Sequence, residues 1–159
     1  CKFPHVDLVT ELNDLSALSS STASIIYASH VLEHFPRSDL LDLLHEWKRL
    51  LVPGGCIRLA VPDFAALSNL YQKTGDIQMI KGPICGGQDH KYNFHFNIFD
   101  KDSLFDQLLS AGFNDPEVWD WRMTEHSHID DFSQAYIPHM AKSTGTLISL
   151  NVQAFKPSL

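Results

Sequence analysis

The stretch Ala23-Ser-Ile-Ile-Tyr-Ala-Ser-His-Val-Leu-Glu-His-Phe35, read together with Leu51-Val-Pro-Gly-Gly-Cys-Ile-Arg-Leu-Ala-Val-Pro-Asp63, constrains the fold more than any other part of the chain. Ile25 to Ala28 is a short apolar, β-branched run, the pattern of a strand buried on both faces. Pro36-Arg-Ser-Asp39 then opens a helix. Along it Leu40, Leu41, Leu43, Leu44, Trp47, Leu50 and Leu51 recur at three-and-four spacing and make one broad apolar face. Lys48 and Arg49 sit near the helix end, where cations suit the dipole. Pro53-Gly54-Gly55 stops the helix, and Cys56 to Val61 reads as a second buried strand. Strand, helix and strand in this order make one unit of a parallel sheet.

The flanks fill in the rest. Val6 to Val9 is a short strand candidate. Asp63 to Lys73 reads as a helix with Phe64, Leu67, Leu70 and Tyr71 on one side. Residues 77–99 read as irregular and aromatic-rich around Gly86-Gly87. Asp100 caps a helix through Leu104, Phe105, Leu108 and Leu109, which Gly112 stops. Glu117 to Arg122 alternates like a strand, and Thr146 to Phe155 reads as the last strand. Between them residues 123–145 are polar and rich in His and Asp, and so long a segment is expected to be functional or partly helical. There is no internal repeat or linker, so residues 1–159 are expected to form a single domain.

Charge and composition exclude several classes of partner. The net charge is −7 and Lys and Arg do not cluster, which argues against a nucleic-acid partner. No apolar run reaches membrane-spanning length and no signal peptide is visible, so no membrane association and a cytoplasmic location are expected. Cys1, Cys56 and Cys85 are odd in number and widely spaced, as for reduced thiols, and Cys56 is expected to serve packing. The chain begins at Cys1 rather than at Met.

Candidate chemistry centres on histidine. Ala28, Ser29 and His30 close the first strand of the unit, and ligands of open parallel sheets bind at that edge. His30 is either a base for an acceptor hydroxyl or amine, or a loop histidine bonded to backbone. On a helical turn His30 and His34 would share a face, which is half of a two-histidine metal site. The sequence offers no third ligand nearby, and Glu33 is expected to play a structural hydrogen-bonding role. His126-Ser-His128 with Asp130-Asp131 has spacing that chance also produces, and no metal is expected. Asp89-His90 and His95 lie in the aromatic segment, where Tyr92, Phe94 and Phe96 either wall an apolar pocket or pack onto the core.

Several of these motifs together resemble the later part of the class I S-adenosylmethionine (SAM)-dependent methyltransferases of the broad type 11 group. The matching residues are Glu11 followed by Leu15, Leu32-Glu33-His34, Leu51-Val-Pro-Gly-Gly55 and Ala111-Gly112-Phe113. Asp131-Phe-Ser-Gln-Ala-Tyr-Ile-Pro138 and Ser149-Leu-Asn151 are similar to the tail of a bacterial subgroup of predicted SAM-dependent methyltransferases. The resemblance implies a Rossmann-like three-layer α/β fold, with a mostly parallel sheet and antiparallel C-terminal strands. It implies SAM as cofactor and a small-molecule acceptor. It implies cofactor contacts at Glu11, Leu12, Asn13, Ala28, Ser29 and His34, and catalytic roles for His30 and His95. Residues 77–99 would lie where the family has a lid over the acceptor site.

The departure from the family lies at the start. Its members begin with a strand and a Gly-x-Gly loop that cradles the cofactor. Here the first glycine is Gly54. The expectation is an N-terminally truncated methyltransferase domain whose SAM binding is weak or absent. Two other readings stand beside it: a non-catalytic methyltransferase-like binding or assembly module, and a metal-dependent enzyme built on the histidines. In the family the strand Ser24–Ala28 has a neighbour that this chain does not supply. Val6–Val9 is therefore expected to pair beside it; the alternative is a symmetric homodimer.

Overall fold

The computed structural model describes residues 6–158. Its main sheet has four strands in the order β1 (Ala23–Ser29), β2 (Leu51–Pro62), β6 (Ser149–Phe155) and β3 (Asn114–Val118). β1 and β2 run parallel, from Ile25 opposite Cys56 to Ser29 opposite Ala60. β6 runs antiparallel to both β2 and β3. The helices are α1 (Leu40–Leu50), α2 (Phe64–Thr74), α3 (Ile77–Cys85) and α4 (Lys101–Ser110). A small separate pair joins β4 (Tyr136–Ile137) to β5 (Thr146–Leu147). The α/β fold and its antiparallel C-terminal strands are those expected from the sequence, but the sheet is mixed rather than mostly parallel: among the described residues one pairing is parallel and two are antiparallel.

α1 forms where the apolar spacing places it. Leu40, Leu43, Leu44, Trp47 and Leu50 are all buried, while Leu41 points out. Leu40, Leu43, Leu44 and Trp47 pack with Ile57, Leu59 and Val61 of β2, Val152 of β6 and Leu104 and Leu108 of α4 in one core. Each fully buried leucine contributes roughly 1.5–3 kcal/mol. Lys48 at the end of α1 donates to the carbonyl oxygens of Ala111 and Gly112, tying α1 to the end of α4. α4 starts with a capping box, in which Asp100 accepts from the Ser103 N–H and the Ser103 hydroxyl accepts from the Asp100 N–H.

Several expectations fail, each for a local reason. Val6–Val9 forms no strand, and Leu8 and Val9 are exposed. Among the described residues β1 pairs only with β2, so the expected intrachain repair of its edge does not occur. Nor is β1 buried on both faces: Ile26 and Ala28 meet the core, whereas Ile25 and Tyr27 are exposed. Residues 77–99 are not wholly irregular, because α3 occupies Ile77–Cys85. Asp76 caps it through the Gln78 N–H; Gly82 and Pro83, which disfavour helix interiors, hid it in the sequence. The helix after Asp63 buries Leu67 and Leu70 but leaves Phe64 and Tyr71 exposed. The predicted strand Glu117–Arg122 is shifted: β3 covers Asn114–Val118 and Trp121–Met123 is a 3-10 turn. The last strand is broken at Ile148 into β5 and β6. Cys56 is only partly buried.

Candidate functional site

A cavity of about 660 Å³ opens at the carboxyl end of β1. His30, His34, His95, Met79, Phe132 and Tyr136 are among its walls. Its position follows from topology, since side chains leaving parallel strands at their carboxyl ends are free of the sheet and face a crevice.

His30 is the first residue beyond β1. Its backbone is left-handed (φ 52°), which a non-glycine residue adopts only where the surroundings hold it. Two groups hold it here. The His30 N–H donates to Ala60 O at 2.8 Å, and the ring stacks obliquely on Phe132 with centroids 5.2 Å apart. A chain of hydrogen bonds then fixes the imidazole. Asn151 Nδ2 donates to Ser133 O (2.9 Å), which turns Asn151 Oδ1 toward Ser149. The Ser149 hydroxyl donates to Asn151 Oδ1 at 2.9 Å, leaving its oxygen to accept from His30 Nε2–H at 3.2 Å. His30 is thus the Nε2–H tautomer, with its lone pair on Nδ1.

His30 Nδ1 lies 3.4 Å from Glu33 Oε1. Glu33 is fully buried, and neither carboxylate oxygen has a hydrogen-bond partner. The structural hydrogen-bonding role expected for its side chain is therefore not there. Its backbone carbonyl does bond, accepting from Phe96 N–H (2.8 Å) and Asn97 N–H (3.3 Å). Burial pushes the Glu33 carboxyl up to about 8. Burial, aided by the nearby His95, pushes His30 down to about 4. The close approach of the two groups would favour an ion pair, but desolvation on both sides outweighs it, and both are neutral at pH 7.

His34 closes the 3-10 turn Leu32–His34. His30 does not lie on that turn, so the shared helical face expected for the two histidines does not form, although both line the cavity. His95 arrives from far along the chain. Phe96 and Asn97 bond the Glu33 carbonyl, Asn97 Nδ2 donates to Phe35 O, and His95 N–H donates to Cys85 O. These bonds fasten the segment after α3 against the turn, and the rings of His34 and His95 meet edge to face at 4.7 Å. Gly86 allows that close approach. It adopts φ 76°, and a Cβ there would stand 2.5 Å from Asn93 O.

The remaining candidates are dispersed. Ser29 has a buried hydroxyl without a hydrogen-bond partner, and Ala28 is in the core. Glu11, Leu12 and Asn13 form an exposed turn that does not line the cavity, and Leu12 O accepts from Trp47 Nε1. Asp89 and His90 are exposed beside each other. Tyr92, Phe94 and Phe96 are exposed, so they neither wall the cavity nor pack onto the core. His126 stacks with Tyr27 and Trp119. Among the described residues the cluster with metal-ligand spacing is Glu33, His34 and His95, and His126 and His128 are not in it. Phe132, Ser149 and Asn151 shape the site without having been singled out as site residues. The sequence signals for the last two were the resemblance of Ser149-Leu-Asn151 to the family tail and their i, i+2 spacing, which puts both on one face of β6.

Residues 2–59 match the methyltransferase domain family. A SAM-dependent methyltransferase from Methanosarcina mazei superposes with a TM-score of 0.58 at 16% identity, over 96% of this chain and 67% of its own. One from Archaeoglobus fulgidus gives 0.57 at 15%, over 94% and 66%. Human N-acetylserotonin methyltransferase in complex with SAM gives 0.55 at 12%, over 94% and 33%. The chain thus spans from a third to two thirds of the length of these proteins. No curated protein sequence matches it. The chain has the Rossmann-like fold of the class I SAM-dependent methyltransferases. The resemblance carried by Leu32-Glu33-His34 and the Pro-Gly-Gly turn is thereby borne out.

Proposed function

We propose that the chain takes part in SAM-dependent methyl transfer to a small-molecule acceptor held in the His30–His95 cavity. The observation that carries this reading is the place of the cavity, at the carboxyl end of β1 in a methyltransferase fold, with neutral imidazoles in its wall. An acceptor oxygen or nitrogen would attack the sulfonium methyl carbon. The carbon–sulfur bond would break, and the acceptor's proton would pass to an imidazole. His30 and His95 are the proton-accepting candidates, and burial holds both below the usual histidine range, so both have a free lone pair at pH 7. Apolar walls such as Met79 and Phe132 would exclude water and align the acceptor.

A second reading is a non-catalytic methyltransferase-like binding or assembly module. A turnover assay separates the two. The protein is incubated with millimolar SAM and a panel of phenols, amines and carboxylates, and the demethylated cofactor is measured. Turnover that falls at least tenfold in H30Q supports methyl transfer through this site. No turnover with any acceptor class supports the binding module.

A further inference from the structure

Glu33 is the least explained group in the molecule. A carboxylate that is fully buried with both oxygens unpartnered is costly to keep, and glutamate is almost never fully buried unless it is paired. Beside it, His34 and His95 each offer one ligand atom, and the three ligand atoms lie within 4.8 Å of one another. The two imidazoles are already oriented. Phe94 O lies 3.1 Å from His34 Nδ1, and Pro83 O lies 2.9 Å from His95 Nδ1. A carbonyl oxygen can only accept, so both Nδ1 atoms bear the proton and both Nε2 atoms carry a lone pair. An imidazole whose outer N–H is fixed by a backbone carbonyl is the usual state of a metal-ligating histidine.

We propose that Glu33, His34 and His95 form a binding site for a divalent first-row transition ion. Two imidazole nitrogens and one carboxylate oxygen favour zinc, cobalt, iron or manganese over magnesium or calcium, which prefer oxygen alone. His34 and His95 also line the cavity, so an ion held by them would stand at the wall of the space where an acceptor would sit. An ion there would bind an oxygen of that molecule and lower its pKa. His95 would then serve the ion, leaving His30 as the imidazole base. The site was invisible as a spacing motif because His95 is brought to Glu33 and His34 only by the bonds from Phe96 and Asn97 to the Glu33 carbonyl. The ion's binding does not depend on SAM, so the proposal stands or falls separately from methyl transfer.

The test uses the full chain stripped with a chelator and dialysed. Cobalt(II) chloride is titrated in while visible absorption is recorded, and zinc chloride is then titrated by calorimetry, both without SAM. One cobalt per chain with micromolar or tighter affinity, displaced by zinc, is expected. E33Q, H34A and H95A should each weaken cobalt binding at least tenfold, while H90A, at the exposed Asp89 pair, should leave it unchanged. Circular dichroism checks that each variant folds. Because E33Q alters a fully buried position, H95A, on the rim of the cavity and only partly buried, carries the test if E33Q does not fold. No cobalt or zinc binding up to millimolar concentration overturns the proposal. So does binding that survives H34A and H95A unchanged, or magnesium binding as tightly as zinc.

Discussion

His30 Nδ1 and Glu33 Oε1 face each other at 3.4 Å in a desolvated corner of the site, and neither carries a charge at neutral pH. The histidine proton sits on Nε2, committed to Ser149, and no hydrogen bond joins the carboxyl to the ring. The burial of each group has its own consequence for stability.

Stability should fall as pH rises through neutrality. The Glu33 carboxyl, at about 8 in the fold against 4.5 when free, contributes stability below pH 4.5 that is lost as pH approaches 8. His30, at about 4 in the fold against 6.5 when free, contributes stability above pH 6.5 that is lost as pH falls toward 4. Between 4.5 and 6.5 the two slopes offset each other, and above 6.5 only the Glu33 loss remains. Urea midpoints of chelator-treated protein should therefore decline from pH 6.5 to 8. In E33Q that decline should vanish; a decline of the same size would assign it to other groups.

Leu44→Ala and Trp47→Ala should each cost about 2–5 kcal/mol, because both side chains are buried where α1 covers the sheet and neither site can collapse freely. His30→Ala should cost much less. His30→Gly should be at least as stable as His30→Ala, since glycine adopts the left-handed backbone at His30 without strain. Denaturant melts of the four variants give the ranking; a larger loss in His30→Ala than in Leu44→Ala would reverse the assignment of core and site.

What the sequence made legible is what local patterning determines. The α1 face and the Asp100 cap are short-range signals, and they occur where their residue types require. The expected Pro-Gly-Gly stop does not: α1 ends at Leu50 with an extended Leu51 as its cap, and Pro53-Gly54-Gly55 lies inside β2. The cavity's position was legible through Ala28, Ser29 and His30, because the carboxyl end of a parallel strand is a topological property. What stayed hidden depends on contacts between distant segments. The Asn151–Ser149–His30 chain and the docking of His95 on Glu33 are written in no local spacing. α3 was obscured by Gly82 and Pro83, and tertiary packing of Ile80 and its neighbours overrides that poor propensity.

SAM should bind this chain weakly. Residues 1–22 offer no glycine-rich amide cradle, and Glu11, Leu12 and Asn13 lie away from the cavity. Losing two charge-assisted hydrogen bonds at ~1.5–3 kcal/mol each weakens binding by roughly a hundredfold or more. Calorimetric titration with SAM and with its demethylated product should give dissociation constants above about 100 µM, on the order expected once micromolar binding loses that factor. Low-micromolar binding would mean that other residues supply the cradle.

The free edge of β1 should make the chain associate. Among the described residues this strand pairs on one side only, with β2, and its outer face exposes Ile25 and Tyr27. Such an edge offers unpaired N–H and C=O groups to any other strand. The strand has little protection of its own. It contains no proline and no charged residue, and the nearby Val6–Val9 run lies apart from it without forming a strand. Two chains meeting edge to edge about a twofold axis would pair β1 with β1 antiparallel and cover Ile25 on both copies. Light scattering across a hundredfold range of protein concentration should therefore report a rising mass. Ile25→Lys, which puts a charge on the exposed face at little cost to the core, should suppress the rise without lowering the melting temperature. A monomer at every concentration would show that this edge is protected in solution, and an unchanged rise in Ile25→Lys would move the contact elsewhere on the surface.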